Sequence, residues 1–262
     1  MNMAEEDTPD VVLTETRGRV MIITLNRPEA MNAVNQELAQ KLAAAIDELD
    51  NNPEISVGVL AGNGRGFSAG MDLKAFAEGS FPTVDGRGFG GITEQGAKKP
   101  LIAAVEGFAL AGGLEIALSC DLIVSAEGAK FGIPEAGVGL FAGAGGLLRL
   151  PRVLPYSVEM QMALTAKPIT AEQAFEHGMI AQIAPKGEAL DKAIELAEQV
   201  AANAPLALIA SKALVRESQG LTDEEFWRHQ AEHYFAMVFH SEDAVEGATA
   251  FAEQRAPNWQ AK

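Results

Sequence analysis

Inside the stretch Leu101 to Leu150, the segment FALAGGLEIALSCDLIVSAEGAKFGIPEAGVGLFAGAGG sets Glu115 and Glu135 among Gly, Ala, Leu, Ile, Val and Phe. Leu101 to Val105 and Leu122 to Ser125 read as strands. Gly112-Gly113, followed by Leu114, Ile116, Ala117 and Leu118, suits a short buried helix between them. A carboxylate carried into such surroundings costs several kcal/mol, or keeps its proton by raising its pKa. Two of them in one glycine-rich apolar region suggest acid-base chemistry.

The rest of the chain is read around that stretch. Val11 to Thr16 and Val20 to Leu25 predict a hairpin turning at Arg17-Gly18. From Asn35, the residues Leu38, Leu42, Ala45, Ile46 and Leu49 share one helical face, and the helix should stop near Asn51-Asn52-Pro53. Val57 to Ala61 reads as a buried strand and Gly62 to Gly70 as a glycine-rich loop. Phe81 to Gly96 has little periodicity and suits a mobile loop or a short helix at a pocket mouth. Past Pro151 the pattern turns helical, over Ser157–Leu164, Ala189–Ala202, Leu206–Glu217 and Glu224–Phe239. Thr170-x-x-Gln173 and Thr222-x-x-Glu225 are capping boxes. No long polar linker separates the strand-rich and helix-rich parts, so they should pack together.

Charge and cysteine usage narrow the partners. Twenty Lys and Arg against 36 Asp and Glu leave a formal charge of −16, which argues against nucleic acid or an anionic membrane surface as the main partner. Any anionic ligand needs a local cluster of cations. The single cysteine, Cys120, cannot form an intrachain disulfide, fits a reducing compartment, and follows an apolar run as a buried thiol would. The acidic opening MNMAEEDTPD has no apolar core, which points away from a signal or transit peptide and toward a cytoplasmic protein.

Three motifs carry competing readings. Gly64-x-Gly66-x-x-Ala69 formally matches a dinucleotide fingerprint, but it follows two strands and a helix rather than the first strand of a βαβ unit, so we read it as coincidence. His229 and His233 stand four apart on one helix without an evident third ligand, so no metal site is expected. Gly112-Gly113 at a helix start either permits close packing or offers free N–H groups to a ligand oxygen, half of an oxyanion hole. Glu115 in the first helical turn can simply answer the helix dipole. Its apolar neighbours on every side favour a functional role. Glu135, taken singly, is best read as a solvated loop residue; the helix start near Ala144-Gly145-Gly146 makes a pocket wall plausible.

At this point the sequence resembles the crotonase superfamily of enoyl-CoA hydratases and isomerases. The likeness runs through LNRPEAMNAVN, GRGFSAGMDLK, IAAVEGFALAGGLEIALSCDLIVSAEGAKFGIPEAGVGL, GAGGLLRLPR and the tail EGATAFAEQRAPNW. It implies an α/β fold, a spiral of repeated ββα units over residues 1–200. The helical region 201–262 would serve assembly and coenzyme A (CoA) contact, in homotrimers or dimers of trimers. It also implies that the N–H groups of Met71 and Gly112 hold a thioester oxygen. Glu115 would orient and deprotonate water, and Glu135 would deliver a proton to Cα. Because both glutamates are present, the implied activity is reversible hydration of a trans-2-enoyl-CoA, as in fatty acid β-oxidation. An isomerase, a dehydratase of a specialised acyl-CoA or a non-catalytic acyl-CoA-binding protein are the alternatives.

CoA enters as part of the substrate, with no metal or redox cofactor. The resemblance places Arg27, Ala30, Ala69, Asp72, Leu73 and Lys74 along the CoA path and Phe235 at the adenine. Two departures stand out. Gln254 replaces a lysine that relatives often direct at CoA, and Phe141-Ala142 precedes Gly143 where relatives often have proline, near the acyl pocket.

Overall fold

The computed structural model describes residues 10–262. Except for Asp10, the acidic opening segment discussed above lies outside them. The strands are β1 (Val12–Arg17), β2 (Val20–Leu25), β3 (Val57–Gly62), β4 (Thr83–Val84), β5 (Gly88–Phe89), β6 (Leu101–Val105), β7 (Phe108–Leu110), β8 (Leu122–Ala126), β9 (Lys130–Gly132), β10 (Ile169–Thr170) and β11 (Gln182–Ala184). The helices are α1 (Gln36–Asn51), α2 (Leu73–Ala77), α3 (Gly112–Ala117), α4 (Gly146–Arg149), α5 (Tyr156–Thr165), α6 (Ala171–Glu176), α7 (Ala189–Ala201), α8 (Pro205–Glu217), α9 (Asp223–Gln230), α10 (Ala236–Phe239) and α11 (Glu242–Glu253).

A six-stranded sheet in the order β1-β2-β3-β6-β8-β11 forms the centre. Only β1 and β2 pair antiparallel; every later pair in this sheet is parallel. Parallel strands need crossovers, and the crossovers cover both faces, so the inner strands are apolar without alternation. Ile22, Val59 and Ile102 lie in one row of the register and face α7, where Ala193, Ile194 and Ala197 meet them. Ile23, Leu60 and Ala103, one residue on, face the opposite core with Leu38, Leu42, Ile46 and Leu49 of α1. The α1 stripe read from the sequence is therefore its buried face, and Asn35 caps the helix by accepting from the Leu38 N–H.

The hairpin, the strand after Pro53, the capping boxes at Thr170 and Thr222 and the short helix at Gly112 all form as expected. Two expectations change, and a second sheet is added to them. Phe81 to Gly96 is neither a loop alone nor a helix: β4 and β5 make a small antiparallel hairpin within it. Glu224 to Phe239 is not one α-helix, because residues Ala231–Phe235 open into a π-helical turn between α9 and α10. The strands β7, β9 and β10 form a second, three-stranded sheet that the sequence pattern did not show. Strands of two or three residues carry too little periodicity to be read alone.

The helical C-terminal part packs on the sheet-bearing part. Lys212 and Arg216 of α8 both pair with Asp121, at 2.7 and 2.9 Å, and Lys212 also donates to the Lys99 carbonyl. Among the described residues no single helix is long and apolar enough to cross a membrane.

Candidate active site

The glycine-rich loop after β3 is held by the turn at residues 28–34. Asn32, fully buried, donates from Nδ2 to the carbonyls of Asn63 and Gly66 and accepts the Arg27 N–H on Oδ1. Its own carbonyl accepts from the Ser68 hydroxyl at 2.8 Å, and the same hydroxyl accepts the Gly70 N–H. The Val34 N–H donates to the Gly70 carbonyl and the Asp72 N–H to the Val34 carbonyl, so Met71 is clamped from both sides. The loop thus has a fixed shape, and it opens no helix at Gly64 or Gly66.

Helix α3 starts against this loop. The Leu110 N–H donates to the Ser68 carbonyl at 3.0 Å, and a Cβ added to Gly70 would lie 2.9 Å from the Gly112 nitrogen. Ala111 turns the chain there at φ 51°, ψ −131°, a conformation that L-residues rarely adopt. Among the described residues, neither the Met71 N–H nor the Gly112 N–H donates to an acceptor within the chain. Two free donors from separate elements therefore stand beside each other, as an oxyanion hole requires.

They open on a cavity of about 330 Å³. Of the described residues that line it, only Glu115 and Glu135 are titratable; the others include Ala69, Met71, Leu73, Phe76, Phe81, Phe89, Gly112, Val138, Leu140 and Phe141. Glu115, on α3 and 3% exposed, accepts on Oε1 from the N–H groups of Ala144 and Gly146, at 2.7 and 2.8 Å. Burial nevertheless holds its carboxyl above the usual range, against those two N–H bonds and the nearby Arg149 charge. Glu135 sits on the 3-10 turn Pro134–Val138, and its Oε2 is buried without a hydrogen-bond partner. Burial pushes its carboxyl up to about 7, with the Glu115 charge adding to the effect. The solvated loop residue is thus not what the fold makes of Glu135.

The cations expected for CoA are differently disposed. Arg27 is four-fifths buried and forms an ion pair with Asp72 at 3.1 Å, while also donating to the Ala33 carbonyl. Asp72 in turn caps α2 by accepting the Lys74 and Ala75 N–H groups. Ala30 ends the 3-10 turn that follows Arg27, Leu73 starts α2 half-exposed, and Lys74 follows it exposed. Phe235 does not join this cavity; it stacks on Phe239 with ring centroids 4.5 Å apart. Cys120 is buried and its thiol is pushed up to about 12 by burial, far from a reactive thiolate. No cluster of metal-ligating side chains occurs among the described residues, and His229 pairs with Glu217 at 2.5 Å.

Asn32, Ser68, Phe81 and Phe89 were not singled out from the sequence. Asn32 lay in the open, inside NRPEAMNAVN, but its role depends on a carbonyl acceptor 31 residues away. The two phenylalanines lay in the stretch with the least periodicity.

The family model described as enoyl-CoA hydratase/isomerase matches residues 15–262. An enoyl-CoA hydratase of Mycobacterium tuberculosis, EchA19, is 42% identical over 97% of this chain and 98% of its own length. A carnitinyl-CoA dehydratase of Salmonella enteritidis is also 42% identical, over 94% of this chain and 96% of its own. Among solved structures, an enoyl-CoA hydratase of M. tuberculosis H37Rv superposes with a TM-score of 0.94 at 51% identity, covering 97% of this chain and all of that one.

Proposed function

The chain belongs to the enoyl-CoA hydratase/isomerase family, and from that premise we propose how its own residues add water reversibly across a trans-2-enoyl-CoA thioester. The enzyme is a hydro-lyase. The thioester oxygen accepts from the Met71 and Gly112 N–H groups. As water attacks Cβ, the electron pair of the double bond moves through Cα onto that oxygen, where the two donors stabilise the growing charge. Glu115 takes the proton of the attacking water. Its Oε1 is held by two backbone donors, so the carboxylate cannot swing away, and Oε2 remains for the water. Glu135 then gives its proton to Cα as the enolate collapses. Exchange between the two carboxyls and solvent restores the starting protonation.

One observation carries this reading: a buried, unpartnered Glu135 oxygen with a carboxyl pushed to about 7, in the same apolar cavity as an anchored Glu115. A carboxyl near neutrality is available as an acid in one direction and a base in the other. Lys74 and the Arg27–Asp72 pair lie on the CoA side of the site in the same reading. Homotrimeric or hexameric assembly and a cytoplasmic location complete it; exposed apolar residues on the C-terminal helices, such as Val245 and Phe251, support assembly. Mixing with a trans-2-enoyl-CoA in isotopically labelled water tests the reaction. Loss of the enoyl-thioester absorbance with one labelled oxygen per product is expected. A shifted double bond without label would make it an isomerase.

A further inference from the structure

Three phenylalanines form one wall of the cavity. Phe76 on α2, Phe81 just before β4 and Phe89 in β5 meet edge to face, with successive centroids 6.4 Å apart at 65° and 62°. Phe89 is buried, whereas Phe76 and Phe81 are 38% and 54% exposed at the mouth. On a separate element, Val138 and Phe141 also line the cavity and are 61% and 74% exposed. The wall is preformed: Arg87 ties the β4–β5 hairpin to Asp47 of α1 and donates to the Gly91 carbonyl, and Gln36 donates to the Thr83 carbonyl.

Large apolar side chains left in water at the mouth of a cavity mark a surface that something apolar covers. Among the described residues, the only titratable groups lining the cavity are the two glutamates, which the reaction uses. No lining side chain is left to recognise a hydroxyl, a carboxylate or an amine on the acyl group. At about 30 Å³ per heavy atom, the cavity holds roughly eleven such atoms, or roughly eight carbons beyond the thioester. Resting on the hydratase reading above, we propose that the substrate carries an extended apolar acyl group of about eight carbons or more. Its distal hydrocarbon covers Phe81 and Phe141. A four-carbon acyl group ends inside the cavity and leaves both rings in water.

The test uses the full chain with straight-chain trans-2-enoyl-CoAs of increasing length, a pair ending in trimethylammonium or its neutral tert-butyl isostere, and the F81A and F141A variants. A fully buried methylene is worth about fourfold in kcat/KM, so burying only about two of the six that separate ten carbons from four gives at least a tenfold preference. Each variant should shrink that preference by about fivefold or more. Calorimetry with saturated acyl-CoAs of the same lengths should show the same order in Kd without any turnover. Equal kcat/KM at every length, unchanged preference in both variants, or a preference for the trimethylammonium group over its isostere overturns the proposal. Absent turnover with length-dependent binding that F81A weakens would sink the hydratase reading and leave the acyl assignment standing. A preserved preference together with a loss of self-association in F141A would assign that ring to a second copy instead.

Discussion

The ring edge of Phe89 occupies the place where a side chain on Gly112 would begin: a Cβ there would lie 2.5 Å from Cε1. The glycine is required by this contact as much as by its helix position. Gly112→Ala must therefore push either Phe89 or the start of α3, and both border the two free N–H groups. We expect turnover to fall by about 100-fold, as on losing an oxyanion donor, with a stability loss of ~1–3 kcal/mol from overpacking. Adding Phe89→Ala should restore stability more than turnover, read by urea melts beside kcat.

Glu115 is held by two N–H groups that a glutamine can still satisfy and a leucine cannot. Glu115→Gln should keep the fold and lose turnover by ~100-fold or more. Glu115→Leu should in addition lose ~1–3 kcal/mol, because the buried Gly146 donor and the half-buried Ala144 donor are left without an acceptor. Equal denaturation midpoints for the two variants would contradict this role of the carboxylate.

The sign of the Glu135 effect on stability follows from its raised pKa. Folding favours its protonated form, so its contribution is complete below the unfolded value near 4.5 and is lost as pH rises through about 7. Glu135→Gln cannot ionise, so it should be more stable than the parent by ~1–3 kcal/mol at pH 8. The two should converge near pH 4, while the variant has lost most of its turnover throughout. In the parent, hydration should weaken above about pH 7 as the acid form disappears.

Ser68 touches no part of the cavity, yet it links Asn32 to the loop that aims Met71. Ser68→Ala leaves a buried carbonyl and a buried N–H short of a partner, costing ~1–3 kcal/mol. Because the Met71 donor loosens, kcat should fall more than KM rises. A change in KM alone would place its effect on CoA binding.

The longer elements were legible because each carries enough periods of its own pattern. The α1 stripe, the apolar strands β3 and β6, the buried start of α3 and the two capping boxes are local statements that packing later agreed with. The β4–β5 hairpin was missed because it rests on two short strands and is held against α1 by the Arg87–Asp47 pair and by Gln36.

By itself the sequence determined that two glutamates stand in an apolar, glycine-rich segment, and its motifs pointed to the family. It left Glu135 open between solvent and pocket and offered Arg27 as a cation for CoA. Tertiary structure decided where Glu135 stands and what pairs with Arg27 inside the chain. Glu135 loses its water because the cavity closes over one of its oxygens, and the Arg27 charge is taken up by Asp72, 45 residues away. The aromatic wall was decided at the same level, since Phe76, Phe81 and Phe89 come together only where separate elements meet around one cavity. Desolvation and ion pairing depend on which groups come close in space, and no local pattern encodes that distance.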